Sequence, residues 1–195
     1  MLGFAFDFAE DWTKTSWGFE LTWFDRVEMA DNDDFEGLSS TQHLNLTTSM
    51  DCPTFIRFLN PFRTFFFDAQ LSLQYIDGYH GSFVANGPLN ALFTFAVSTG
   101  YFQDRLAPSF VLAHDTRSVS GAAIGSLTYR YTTNLSVTIG AAGFYGRQER
   151  ITAPLSPIAG PSGGAGRGSQ RAYVENGLSS IRDRDEVFLR LRYTF

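Results

Sequence analysis

No stretch of this chain is uniformly apolar, yet in one segment after another every second residue is. The last eleven residues set the pattern. Val187, Leu189, Leu191, Tyr193 and Phe195 fall on one parity, and Arg190, Arg192 and Thr194 on the other. A repeat of two places successive side chains on opposite sides of an extended strand, so these residues build a strand with one oily and one charged face. The charged face needs water or carboxylate partners. The same period recurs at Leu2, Phe4, Phe6 and Phe8, at Trp17, Phe19, Leu21 and Trp23, and at Phe65, Phe67, Ala69, Leu71, Leu73 and Tyr75. It returns at Ala91, Phe93, Phe95 and Val97, at Leu127, Tyr129 and Tyr131, and at Leu135, Val137, Ile139 and Ala141. A weaker version covers 41–49, where Leu44 and Leu46 alternate with His43, Asn45 and Thr47. The reading is about nine strands, all antiparallel, in a single domain spanning 1–195.

Composition sharpens this. Phe is the most abundant residue type, with 20 copies, followed by Gly with 18. The chain is 44% hydrophobic, yet it has no run of the roughly 18 apolar residues that a membrane-crossing helix needs. Asp7, Glu20, Arg26, Asp68, Arg130, Arg190 and Arg192 are assigned to the polar sides of the strands, and that many ionisable groups do not fit a small dry core. The arrangement that satisfies both sides is a transmembrane β-barrel with its Phe-rich face toward lipid and a wet interior. The candidate lumen-lining residues are therefore Glu20, Arg26, Asp68, Arg130, Arg190 and Arg192. The net charge of −5 argues against a nucleic-acid partner, and the single Cys52 excludes an intrachain disulfide.

Connection lengths orient the barrel. The turns at 10–15, 103–105 and 132–134 belong on the periplasmic side, together with 50–63, which is long for such a turn; the loops at 30–40, 77–88 and 149–184 belong outside, together with the short 115–119 connection. Pro53 and Pro61 bracket a segment, 50–63, that is expected to form a compact turn with one helical stretch. The first residues, Met1-Leu2-Gly3-Phe4-Ala5-Phe6, lack the features of a secretory leader and already alternate. An odd strand count that starts outside, without a leader, leads us to expect the C-terminal portion of a larger barrel. Its remaining strands would come from the same precursor or another copy.

Leu191, Tyr193 and the terminal Phe195 resemble the closing strand of bacterial outer-membrane barrels, in which a final Phe with an aromatic two residues earlier is the assembly signal. The implied partners are membrane lipid and the barrel-assembly machinery, and the implied location is the outer membrane of a Gram-negative bacterium. Three segments look similar to a large proteobacterial outer-membrane family known only as a domain of unknown function. They are the stretch Pro53-Thr54-Phe55-Ile56-Arg57-Phe58-Leu59-Asn60-Pro61 with Arg63-Thr64-Phe65-Phe66-Phe67, the hairpin around Tyr129-Arg130-Tyr131-Thr132-Thr133-Asn134, and the end of the chain. The resemblance places this chain in the C-terminal third of that family's pattern. It implies a porin-like channel for small or hydrophobic solutes, and supplies no catalytic residues.

Other chemistry is weaker. His43, His80 and His114 have no adjacent nucleophile motif, so no enzyme is expected. The acidic loop beginning at Asp31 lacks the spacing of a helix-loop-helix calcium site and reads as a solvated surface loop. The glycine run at 163–168 is not flanked by the strand and helix of a phosphate loop. No cofactor or metal is expected. The alternative to a channel is a structural or adhesive barrel with a plugged lumen, acting through its outer loops.

Overall fold

The computed structural model describes residues 1–31, 34–83, 85, 87–146, 178 and 181–195. Nine strands follow one another in order, each hydrogen-bonded antiparallel to the next. They are β1 (Leu2–Glu10), β2 (Thr15–Ala30), β3 (Leu38–Thr54), β4 (Phe65–Asp77), β5 (Leu89–Ser98), β6 (Leu106–Asp115), β7 (Ser120–Arg130), β8 (Leu135–Gly146) and β9 (Glu186–Tyr193). No α-helix occurs among the described residues. The all-antiparallel reading is therefore correct in architecture and in order. The sheet is not closed: β1 and β9 are its two edges and do not pair.

Register carries each parity from strand to strand. Phe6 lies opposite Phe19, Leu21 opposite Leu46, Leu46 opposite Leu73 and Leu73 opposite Ala91. On the far side, Phe95 meets Leu112, Leu127 meets Ile139 and Ile139 meets Leu189. Residues directly opposite share a face. The alternation seen strand by strand is thus one continuous apolar face across all nine strands. Its aromatic rings stack on one another, as in Phe6 on Phe19 at 5.0 Å and Phe67 near Phe95 at 6.3 Å between centroids. Nothing among the described residues covers it. Phe4, Leu44, Phe93, Ile139 and Leu189 are all exposed. Burying one such side chain is worth roughly 1.5–3 kcal/mol, so a face this wide left in water forgoes a large stabilisation.

The buried side chains gather elsewhere. The 11–14, 55–64, 99–105 and 131–134 connections lie at one end of the sheet, the turn end, and the 31–37, 78–88, 116–119 and β8–β9 connections at the other, the loop end. At the loop end the β4–β5 connection folds back, and Ile76, Phe83 and Ala85 form a small core with Met29 and Tyr79 packed on it. The Tyr79 hydroxyl donates to the Ala85 carbonyl at 3.0 Å and accepts from the Gly87 amide at 3.0 Å, which closes this loop on itself.

Two local expectations fail, each for a physical reason. The segment 50–63 is not a turn with a helical stretch. β3 runs on through Pro53 to Thr54, paired with β4 to the end. Pro is tolerated there because β3 is paired with β2 only as far as Asp51, so beyond it the strand is single-sided. The helical tendency survives as one turn, in which the Leu59 and Asn60 amides donate to the Ile56 carbonyl at 3.0 and 2.9 Å. The buried Asn60 side chain then ends it. Its Oδ1 accepts from the Phe62 and Arg63 amides, and its Nδ2 donates to Thr99 Oγ1 and the Gly100 carbonyl, which ties this turn to the β5–β6 turn. The second failure lies in β2. A bulge between Phe24 and Val27 inserts one residue, with Arg26 at a left-handed φ of 53°. Beyond it the parity reverses, so Met29 lies on the same face as His43 rather than with Trp23.

Candidate functional site on the polar face

The opposite face is built from small and polar residues. One row runs Ala5, Glu20, Thr47, Ser72 across β1 to β4, and the next runs Asp7, Gly18, Ser49, Gln70. Hydroxyls hold neighbouring strands together here, as in Thr47 with Ser72 at 3.2 Å, Ser109 with Ser126 at 2.8 Å and Thr128 with Thr138 at 2.8 Å.

Away from the loop end the ionisable groups of this face separate by sign, whereas Asp115 on β6 and Glu186 on β9 place carboxylates on it nearer that end. Asp7 on β1, Glu20 on β2, Asp51 on β3 and Asp68 on β4 lie on one side, with Asp51 and Asp68 directly opposite each other. Arg130 on β7 and Arg190 and Arg192 on β9 lie on the other. Register places Arg130, Ser136 and Arg192 in one row across β7, β8 and β9, and Arg190 in the neighbouring row opposite Thr138. At about 4.8 Å per strand, Arg130 and Arg192 are about 10 Å apart along that row, and β4 and β7 about 14 Å apart across the sheet. Among the described residues no ion pair joins the acidic group to these arginines; Arg130 donates instead to the Asp104 carbonyl at 3.2 Å. The four carboxylates and the three arginines thus stand on separate strands, with Glu186 the carboxylate on the arginines' side.

Of the six residues singled out as lumen-lining, Glu20, Asp68, Arg130, Arg190 and Arg192 share this face. Arg26 does not join them. It sits at the bulge, pairs with Asp25 at 3.4 Å, and its side chain is 85% exposed. Leu191 and Tyr193 lie on the apolar face opposite Val137 and Leu135, and the Phe195 ring meets Tyr193 edge-on at 5.1 Å.

The alternation did not reveal that large residues also occupy the polar face. Phe24, Phe66, Leu92, Val111, Ile124, Phe144 and Phe188 all fall on it by register. One of them explains a glycine: the Phe188 ring lies over Gly140, where a Cβ would collide with it. Large side chains resting on bare backbone are a recognised way to keep strands close.

At the loop end this face is capped. Thr41, His43, Ser82, Arg117, Ser118 and Ser120 are all buried there, beside the Ile76–Phe83 core. The Arg117 amide donates to Asn90 Oδ1 at 3.1 Å and to Asp115 Oδ1 at 2.9 Å, and the Leu178 amide donates to Ser120 Oγ at 3.0 Å. Asp31, expected in a solvated loop, is instead 5% exposed. It accepts from Ser39 Oγ at 2.5 Å, faces His80 Nε2 at 3.8 Å, and bridges through its backbone to Phe83. The acidic loop is drawn inward because Asp31 ties the β2–β3 connection to the β4–β5 connection. His80 Nδ1 also meets Ser82 Oγ at 2.6 Å. That Ser–His–Asp line is a loop fastening, since Ser82 is buried and Asp31 lies beyond hydrogen-bond range of the imidazole. His43 faces Met29 Sδ at 3.2 Å, and His114 faces the Tyr145 hydroxyl at 3.0 Å. Asn32 and Asp33 of the acidic loop and most of 149–184, including the glycine run, lie outside the described residues.

Fold and face together define a class: an open, all-antiparallel meander with one wide apolar face and one largely polar face that carries the charged residues. No protein-family model, curated protein or solved structure matches the chain.

Proposed function

We propose that this sheet is a section of the wall of a transmembrane β-barrel in a Gram-negative outer membrane, and that its polar face lines a passage for small or hydrophobic solutes. The observation that carries the proposal is the uncovered apolar face, continuous over nine strands and rich in Phe and Leu. Lipid is the solvent that suits it, because acyl chains recover the stabilisation that water denies. Strands of this length suit a bilayer, which needs about 9–11 tilted residues per crossing. The turn end then belongs to the periplasmic side and the loop end to the outside. The Leu191–Tyr193–Phe195 ending fits a substrate of the barrel-assembly machinery, and the family resemblance at 53–67 and 129–134 points the same way.

On this reading Asp7, Glu20, Asp51 and Asp68 on β1 to β4 and Arg130, Arg190 and Arg192 on β7 and β9 face one another across water, and their field sorts ions. Reconstituted protein should let small sugars swell liposomes; liposomes that stay unswollen count against a channel. A second reading has its own support. The cap of Ile76, Phe83, Ala85 and the residues around Arg117 fills the outer end of the polar face, as a plugged barrel acting through its loops would require. The same swelling experiment separates the two.

A further inference from the structure

The longest connection at the turn end exposes three phenylalanines. Residues 55–64 join β3 to β4 and carry Phe55, Phe58, Leu59 and Phe62, of which Phe58 and Phe62 are each 86% exposed. This segment leans to the apolar side of the sheet. Its buried Asn60 donates to Thr99 Oγ1 at 3.2 Å, and Thr99 Oγ1 donates to the Thr64 carbonyl at 2.8 Å. The Tyr101 hydroxyl lies 3.5 Å from the Leu59 carbonyl. Thr99 and Tyr101 continue the parity of Phe95 and Val97. Tyr101 lies opposite Leu106 and Leu106 opposite Tyr129, so the apolar face extends to this end.

Between this segment and the β5–β6 turn lies a cleft of about 530 Å³, walled by Leu59, Pro61, Phe62, Arg63, Tyr101 and Phe102. A space of that size suits a small molecule. The turn itself has an uncommon shape. Phe102, Gln103 and Asp104 are successive non-glycine residues with φ of 53°, 60° and 65°, a left-handed conformation such residues rarely adopt. Asp104 fastens it: its carboxylate lies over Gly100, where a Cβ would collide with it, and pairs with Arg63 at 2.7 Å. Phe102 is left 74% exposed. Three arginines meet at this turn. Arg63 pairs with Asp104, Arg130 donates to the Asp104 carbonyl at 3.2 Å, and the Arg105 carbonyl accepts from the Arg130 amide at 2.7 Å. Arg57 adds a fourth on the facing connection. Asp104 is the one carboxylate in 55–64 and 99–105, so with Arg130 this region sets four positive charges against one negative, in a chain of net charge −5.

We propose that this cleft binds the headgroup of an anionic phospholipid. Arg63 and Arg105 hold the phosphate, and the acyl chains run along the apolar face past Tyr101 and Tyr129. This rests on the membrane reading above and deepens it by giving the turn end a lipid partner of stated charge. Arginine meets a phosphate with parallel N–H donors, and the Arg63 side chain stays 47% exposed beside Asp104, open to one. Aromatic rings suit the boundary between acyl chains and water, and clustered arginines beside it attract anionic headgroups. The phenylalanines carry the apolar surface up to that boundary, and the arginines begin where it stops. That continuity with the face assigned to lipid selects a lipid over a soluble partner.

The test uses the whole chain with Trp12→Phe, Trp17→Phe, Trp23→Phe and Phe62→Trp, so that fluorescence comes from the cleft alone. It is reconstituted into phosphatidylcholine vesicles that hold a minor fraction of brominated phosphatidylglycerol or, in parallel, of brominated phosphatidylcholine, with bromine near the headgroup end of the chains. Brominated phosphatidylglycerol should quench the indole several-fold more than the same fraction of brominated phosphatidylcholine. Arg63→Gln with Arg105→Gln should abolish that preference, whereas Arg63→Lys with Arg105→Lys, which keeps the charge, should retain part of it. Lys14→Gln with Arg26→Gln removes two cations outside the cleft and should leave it intact. Equal quenching by the two lipids overturns the proposal, as does an indole that neither lipid quenches. So does a preference that survives loss of both arginines, one lost also in the Lys pair, or one lost equally in the Lys14 and Arg26 pair. A preference lost in phosphate buffer of matched ionic strength assigns the arginines to a free anion and overturns the lipid. Where the protein floats with vesicles of phosphatidylcholine alone, each of these results removes the headgroup site and leaves the membrane reading standing. Protein that fails to float removes both.

Discussion

The two faces of this sheet are made by one backbone and one alternation, yet they are built on opposite rules. The apolar face carries large side chains, stacked on one another and left uncovered, with Phe6 on Phe19 as the type contact. The polar face carries hydroxyl-bonded small residues with several large side chains set among them, its charged groups, and a buried cap at one end. In a water-soluble sandwich the large apolar residues would turn inward to a shared core. Here, among the described residues, the buried apolar cluster lies at the loop end of the polar side. The difference teaches that packing within the chain accounts for one face and that the other is shaped for a solvent outside it.

The sharpest way to break the comparison is to put the same charge on each face at neighbouring positions. Leu71 lies on the apolar face and Ser72 on the polar one. Leu71→Arg should cost about 2–4 kcal/mol of stability in lipid, the range for a lipid-facing charge near mid-bilayer, whereas Ser72→Arg should cost far less. Urea unfolding in vesicles measures both, and equal losses would erase the distinction.

A smaller effect should come from adding bulk. Gly140 lies under the Phe188 ring on the polar face, while a Cβ at Gly125, on the apolar face, meets open space. Gly140→Val should destabilise by about 1–3 kcal/mol, as overpacking does, and Gly125→Val should change little. The same unfolding curves give the answer. The smallest stability effect belongs to Arg190→Glu with Arg192→Glu, both on the exposed edge strand. These should leave unfolding nearly unchanged while shifting the reversal potential toward cations in a planar bilayer. An unchanged reversal potential would remove the arginines from the passage.

Much of this was legible in the sequence because a period of two survives any tertiary context. The strands, their antiparallel order and the shared face of Glu20, Asp68, Arg130, Arg190 and Arg192 all follow from counting by twos. What broke the count was not written in the alternation. The bulge at Asp25–Arg26 reverses parity within β2 without interrupting its strand-forming residues. Pro53 stays in a strand because its neighbour β2 has already ended there, which is a fact of sheet outline rather than of local sequence. The burial of Asp31 depends on a loop some fifty residues further on folding back to meet it, as the Asp31–Phe83 bridge records. Phe188 falls on the polar face of β9, and the glycine it covers lies across the strand pair, at Gly140, which no local pattern records. The separation of Asp7, Glu20, Asp51 and Asp68 from Arg130, Arg190 and Arg192, likewise, emerges only once register ranks the strands.

The most direct measurement concerns the apolar face itself. Trp17 and Trp23 lie on it, at positions opposite Phe8 and Leu2, while Trp12 sits in the β1–β2 turn. The chain with Trp12→Phe, reconstituted into vesicles whose acyl chains carry bromine, reports on those two indoles alone. Strong quenching of their fluorescence, absent with unbrominated lipid, is the predicted result. Fluorescence indifferent to bromine, from protein that remains dispersed in buffer without detergent, would contradict the account.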